Sequence, residues 1–189
     1  MKKIIIYLLK IISPIFYQKK YLSGKYFTDT NIGWVWVLKG IFYQKILGFN
    51  REIPWFITPF SKITNYKNIF FHQDDINNFQ SQGCYFQSTY AKIYIERGVQ
   101  IAPNVGLISS NHDVSDLDKR GKTGDIHLGK NSWIGMNSIL LPGVELGEHT
   151  IVAAGSIVTK SFKEGYVVIG GNPAKIIKKI QIEKKYETK

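Results

Sequence analysis

This 189-residue chain has one cysteine and, across its first 70 residues, only two acids. Cys84 alone excludes a disulfide framework and points to a reducing compartment. A lone thiol of this kind is expected as a small buried hydrophobe. Long apolar runs are missing as well. The opening "MKKIIIYLLKIISPIF" starts basic, but Lys10 interrupts it. It is too short to cross a bilayer, and no small-residue cleavage site follows, so neither a spanning helix nor a secretory signal is expected. No RNA- or DNA-binding module signature is present, so nucleic acid is not an expected partner. Charged residues make up 21% of the chain and hydrophobic ones 44%, which places it among folded proteins.

What is present is unevenly spread. Residues 1–70 hold 11 Lys and Arg against 2 acids, residues 71–174 hold 8 against 10, and residues 175–189 hold 6 against 2. Of the 26 aromatic residues, 16 lie in residues 1–70. The chain therefore reads as a basic, aromatic front (1–70), a near-neutral body (71–173) and a basic end (174–189) predicted as a short helix and tail. In the front, Ile4, Leu8, Ile11, Ile12 and Ile15 fall near one helical face. That predicts a helix that lies in a membrane interface or docks on the body. The expected location is cytoplasmic, with peripheral contact to the inner face of the membrane.

Beyond residue 93 the chain repeats every six residues. Ile95, Ile101 and Leu107, then Leu128, Ile134, Leu140, Leu146, Val152 and Val158, are all aliphatic. One position further on stand Gly129, Gly135, Gly147 and Ala153; four further on stand Ser132, Ser138, Thr150 and Ser156. A period of six fits neither a helix nor a plain strand. It fits short flat strands joined by tight turns, three to a triangular coil of eighteen residues, with the coils stacked into a parallel β-helix. The register breaks once, between Leu107 and Leu128. Residues 113–127, "DVSDLDKRGKTGDIH", hold most of the slip, and a stack cannot absorb them, so they should bulge out as a loop. His112 stands at its base.

The segments "IHLGKNSWIGMNSILLPGVELGEHTIVAAGSIVTKS" and "GGNPAKIIKKI", with "IAPNVGLISSNHD" upstream, resemble the hexapeptide-repeat acyltransferases. Within that family they are similar to the galactoside, maltose, xenobiotic and polysaccharide O-acetyltransferases. The likeness covers about residues 93–180. It implies a mainly β fold, a left-handed parallel β-helix, and a homotrimer with active sites between subunits. It implies acetyl-CoA as co-substrate, no metal, and a histidine that takes the proton of an acceptor hydroxyl and returns it to the departing thiolate.

Carried onto this sequence, His112 is that base. The cofactor groove would involve Trp133, Gly135 and Met136, then Ala153, Ala154 and Gly155, where missing side chains let a pantetheine chain lie against backbone. Thr159 and Lys160 follow, and Lys175 and Lys178 take the place of cations near the nucleotide phosphates. A histidine suits proton transfer near neutral pH. Its orienter is expected to be a backbone carbonyl as readily as Asp113, because adjacent residues of an extended chain point apart. The acceptor end departs from the family pattern: where an Asn and an Asp are usual, ungapped counting reaches Gln82 and Tyr90, with Gln87 nearby as a further sugar-binding candidate. His127 could line the site or mark strand re-entry, His149 reads as an outer turn residue, and His72 has no assigned role.

The function expected is acetyl transfer to a sugar hydroxyl of a surface polysaccharide or a lipid-linked glycan precursor. The alternatives are acetylation of a small molecule such as an antibiotic or free sugar, a metal-dependent anhydrase on the same prism, and a non-catalytic β-helix used for binding. Spacings of 15 and 22 residues between His112, His127 and His149 suit a three-histidine metal site poorly.

Overall fold

In a computed structural model that describes residues 2–181, the six-residue period becomes the three faces of a prism. The first face stacks β1 (Lys62–Ile63), β3 (Tyr85–Gln87), β6 (Gly106–Ile108), β11 (Ile139–Leu140) and β14 (Ile157–Val158). The second stacks β2 (Ile69–Phe71), β4 (Ile93–Ile95), β9 (Ile126–Leu128) and β12 (Glu145–Leu146). The third holds β5 (Gln100–Ile101), β10 (Trp133–Ile134), β13 (Ile151–Val152) and β15 (Val167–Gly171). Neighbours within these three stacks are parallel.

The register explains the period. Leu107, Leu140 and Val158 lie over one another on the first face. Ile95, Leu128 and Leu146 do so on the second, and Ile101, Ile134 and Val152 on the third. All nine are buried. Adjacent strand residues point to opposite sides, so each short strand sends one aliphatic side chain inward and one residue out. The small residues at the corners have a second use. Ser132 Oγ donates to Gly147 O at 3.2 Å and accepts from Thr150 N at 3.2 Å. Ser138 Oγ does the same with Ala153 O at 3.0 Å and Ser156 N at 3.4 Å. These hydroxyls satisfy backbone groups between buried coils.

The ladder begins at Lys62, earlier than the expected start at residue 71, because Lys62 and Ile63 pair with Tyr85 and Phe86. That first coil has a substitute for its third side. Residues Gln73–Gln80 form a 3-10 segment, and the Asn78 side chain donates to Val99 O at 2.9 Å and accepts from Ile101 N at 2.8 Å. One side-chain amide thus stands in for a strand's peptide group.

The predicted C-terminal helix is not found. Ala174–Lys179 is β16, antiparallel to β15 on the third face. Gly171, with a φ of 103°, and the following Asn-Pro turn the chain back on itself. The pairing pattern of a hairpin then overrides the helical look of "AKIIKK". The basic tail, from residue 182 on, lies outside the described residues.

The front is helical: α1 (Lys2–Phe16), α2 (Lys25–Thr28) and α3 (Ile32–Gly40), with a π-turn continuing over Ile41–Ile46. It packs on the open end of the prism in one continuous core. Tyr21 stacks on Phe71 with centroids 5.1 Å apart, and Trp55 meets Phe79 at 5.2 Å. Aromatic residues suit this cap because large rings cover the exposed end of the core and pack at varied angles. Gln44 is fully buried among them and fully bonded. Its Nε2 donates to Trp55 O at 3.1 Å and Asn50 O at 3.2 Å, and its Oε1 accepts from Ile57 N at 2.9 Å and Tyr17 OH at 3.2 Å. The same burial pushes the Tyr17 phenol well above its ordinary value. Cys84 is buried, as expected, and burial pushes its thiol up.

Candidate active site

The register break is a ribbon. Ile139 pairs with Gly106, 33 positions back, whereas regular coils such as Ile139 to Ile157 take 18. The extra length leaves the edge between the first and second faces as β7 (Ser110–His112) and β8 (Arg120–Thr123), antiparallel to each other. The extrusion therefore starts before residue 113 and ends before 127. Ile126 and Leu128 already point into the core, and Asp125 Oδ1 caps the Lys92 amide at 2.8 Å as the chain re-enters.

His112 is exposed at the end of β7, and its Nδ1 lies 2.7 Å from Leu117 O. A carbonyl only accepts, so Nδ1 carries the proton. In the neutral ring Nε2 is then a free lone pair, the form a general base needs. Asp113 does not touch the imidazole. Its carboxylate accepts from Ser115 N at 2.8 Å, Ser115 Oγ at 2.5 Å and Asp116 N at 3.3 Å, and these bonds hold it below the usual carboxylate range. Asp113 shapes the turn that brings Leu117 O to the ring.

The histidine opens on a shallow cavity of about 170 Å³ lined by Gln87, Tyr90, Ser110, Asn111, His112 and the 118–120 segment. The Arg120 guanidinium sits over the Tyr90 ring, 3.3 Å from its centroid. Gln87 is present, but its amide is occupied. Oε1 accepts from Ser110 N at 2.9 Å, and Nε2 donates to Ser110 O at 3.0 Å and Oγ at 2.9 Å. It brackets Ser110 where the chain departs from the prism, so it positions β7. Gln82 is elsewhere, lining a cavity of about 240 Å³ with Trp36, Tyr43 and Phe60 between front and prism. Sequence reading missed Gly121. A Cβ there would lie 2.5 Å from His112 O, so only glycine lets β8 run this close. A glycine inside a charged loop, "KRGKTG", was the available signal. The Leu117 carbonyl had none.

The other histidines are placed away from this cavity. His127 stacks on Tyr94 at 4.4 Å on the outside of the second face. His149 has a φ of 55° at a corner and stacks on Tyr166 at 5.4 Å. His72 Nδ1 accepts from Asp74 N at 3.2 Å and caps the 3-10 segment. Among the described residues no three His, Cys, Asp or Glu side chains converge as metal ligands.

The cofactor candidates fall on two edges. Trp133 stands exposed on the outside of the third face. Gly135–Met136 and Ala153–Gly155 stack at the edge between the third and first faces, joined by Gly135 N to Val152 O at 2.9 Å and Gly155 N to Met136 O at 2.8 Å. A Cβ on Gly135 would approach Val152 O within 2.6 Å, so coil stacking itself requires that glycine. Ala154 and Gly155 are exposed, and a Cβ direction at Gly155 meets nothing. Lys175 and Lys178 are exposed on β16, beside the same face. Thr159 and Lys160 lie instead at the edge that carries the His112 ribbon, in the last coil. One chain thus holds an exposed imidazole on one edge and a bare backbone column on another.

A parallel prism of hexapeptide coils with an imidazole on an extruded ribbon defines the class, and comparison with known proteins agrees. Residues 125–160 match the family described as bacterial transferase hexapeptide (six repeats). A Saccharomyces cerevisiae protein named "Putative acetyltransferase YJL218W" is 39% identical over 94 residues, 48% of this chain and 47% of that protein. A galactoside O-acetyltransferase of Lactococcus lactis subsp. lactis is 37% identical over 91 residues, 47% of this chain and 44% of that protein. The structure of a hexapeptide-repeat-containing acetyltransferase from Vibrio cholerae, complexed with acetyl coenzyme A, superposes with a TM-score of 0.51 at 21% identity, covering 65% of this chain and 69% of that one. This last likeness is one of fold. The chain spans about half the length of the curated relatives it matches. Residues 125–160 match that family's model, and the resemblance read from the sequence stands.

Proposed function

We propose that this protein is an acetyl-CoA-dependent O-acetyltransferase whose acceptor is a sugar hydroxyl of a surface polysaccharide or lipid-linked glycan precursor, with His112 as general base. The observation that carries the reading is the 2.7 Å contact of His112 Nδ1 with Leu117 O in a ring that lines the cavity; in the neutral imidazole this contact leaves the Nε2 lone pair free. The curated relative named galactoside O-acetyltransferase supports the reaction class. Nε2 accepts the acceptor's hydroxyl proton as that oxygen becomes nucleophilic, and later donates it to the leaving group. The Leu117 carbonyl steadies the imidazolium formed in between. Acetyl-CoA supplies the activated acetyl thioester. The exposed backbone at Ala154 and Gly155 can exchange hydrogen bonds with an amide chain, and Lys160, Lys175 and Lys178 are cations open to phosphate.

The same reading makes the protein a homotrimer with left-handed prisms. What supports the trimer is the separation of the base and the Ala154–Gly155 column on different edges, which a neighbouring subunit would bring together. The test is release of free thiol from acetyl-CoA in the presence of free and lipid-linked oligosaccharides. Replacing His112 by Ala is expected to lower the rate by about 10²–10⁴. Its exposure makes an unchanged melting temperature the companion result. Full activity in His112→Ala would refute the assignment.

A further inference from the structure

The front carries a second apolar surface that the fold does not use. In α1 the side turned to the protein is made by Ile6, Leu9 and Ser13. The opposite side carries Ile4, Leu8, Ile11 and Ile15, spaced along about 16 Å of helix. Ile4 is 65% exposed and Ile15 is 77% exposed. α3 and the π-turn that continues it repeat the arrangement. Trp34, Val37 and Gln44 turn inward, while Val35, Leu38, Phe42 and Ile46 turn out. An apolar cleft of about 350 Å³, lined by Ile5, Leu9, Ile32, Trp34, Val35 and Leu38, joins the two helices. Single exposed aliphatics are ordinary on a protein surface, but a continuous field of them marks a partner.

Charge decides which partner. Lys3 and Lys10 flank the α1 stripe and Lys39 stands beside Leu38, all exposed. Asp29 is the only acid before Glu52. Two copies joined through this surface would bring like charges together, whereas an anionic lipid surface complements them. No helix among the described residues is long and apolar enough to cross a membrane.

We infer that α1 and α3 form an in-plane platform that seats the protein on an anionic bilayer, the isoleucine stripe entering the headgroup–acyl boundary and the flanking lysines meeting lipid phosphates. This goes beyond the proposed transfer reaction and does not depend on it.

The experiment is sedimentation of the full chain with vesicles of phosphatidylcholine alone and with vesicles in which part of it is replaced by phosphatidylglycerol. Binding to the anionic vesicles is expected. The paired substitution Ile11→Asp with Ile15→Asp should weaken it at least about tenfold at an unchanged melting temperature. Lys3→Gln and Lys10→Gln should each weaken it roughly fivefold at low salt, an effect that high salt removes. A wild-type chain that stays in the supernatant with both vesicles overturns the inference. So does an Ile11→Asp, Ile15→Asp variant that changes oligomeric mass, which would make the stripe a contact between copies. Thiol release with both free and lipid-linked oligosaccharides, measured on the same samples, separates the two proposals: vesicle binding without transfer to any of them would sink the enzyme assignment and leave the platform standing.

Discussion

In the body, Leu107, Leu140 and Val158 stack directly over one another, and backbone amides pair coil to coil along each face. In the front, Tyr17, Phe27, Trp34 and Phe56 meet edge to face with centroids 4.9–6.2 Å apart, and a buried side-chain amide does the work of a strand. Both regions bury their central side chains within one continuous core. They differ in what fixes their geometry. The body repeats one contact, so each coil is a template for the next. The front makes each contact once, and its chain path depends on Gln44 reaching four partners from one position.

That contrast can be broken in two places. Leu140→Ala empties a site between Leu107 and Val158 where rigid coils cannot collapse. It is expected to cost about 2–5 kcal/mol in chemical denaturation. A cost below 1 kcal/mol would mean the coils can close up and the stack is softer than its register implies. Gln44→Leu keeps most of the volume but leaves Ile57 N–H and Trp55 C=O buried without partners. About 2–6 kcal/mol is expected, from roughly 1–3 kcal/mol for each of these two orphaned groups. A neutral Gln44→Leu would show that aromatic packing alone sets the front.

The contrast also explains what could be read from the sequence. Repetition is visible in one dimension, so all nine aliphatic positions were found and all are buried. The break after Leu107 was equally visible, because a stack has no way to hide a change of register. The ribbon's edges were not. Polar residues in a solvent-exposed two-stranded ribbon carry no apolar alternation, so Ser110–His112 and Arg120–Thr123 looked like loop. Gln87 holds Ser110, 23 positions on, through both its backbone groups and its hydroxyl, a pairing that no local spacing shows. The strand at Ala174–Lys179 was misread because its inward residue is Ala174 alone, and the exposed run after it has helical spacing. The place of His112 at the break is legible in the sequence; the Leu117 carbonyl beside its Nδ1 is not, since any residue at that position supplies one.

The seam between the two regions allows a smaller and sharper test. Asp75 is buried there; Oδ1 accepts from Gly98 N at 3.1 Å, while Oδ2 has no partner among the described residues. Burial pushes its carboxyl up, assisted by Asp74 and opposed by the Gly98 amide, Lys25 and His72. The folded protein therefore holds this proton more tightly than the unfolded chain. The resulting stability is present below the ordinary value of 3.8 and is lost as pH rises through the folded value. Asp75→Asn retains the acceptor for Gly98 N and removes the charge. At pH 7 it is expected to raise the melting temperature by about 2–4 °C. The gain should shrink toward zero as pH falls into the carboxylate range, where wild-type Asp75 is itself neutral. A lower melting temperature at pH 7 would mean that Lys25 and His72 outweigh desolvation. The seam would then be an electrostatic joint, unlike either the aliphatic stack below it or the aromatic cap above.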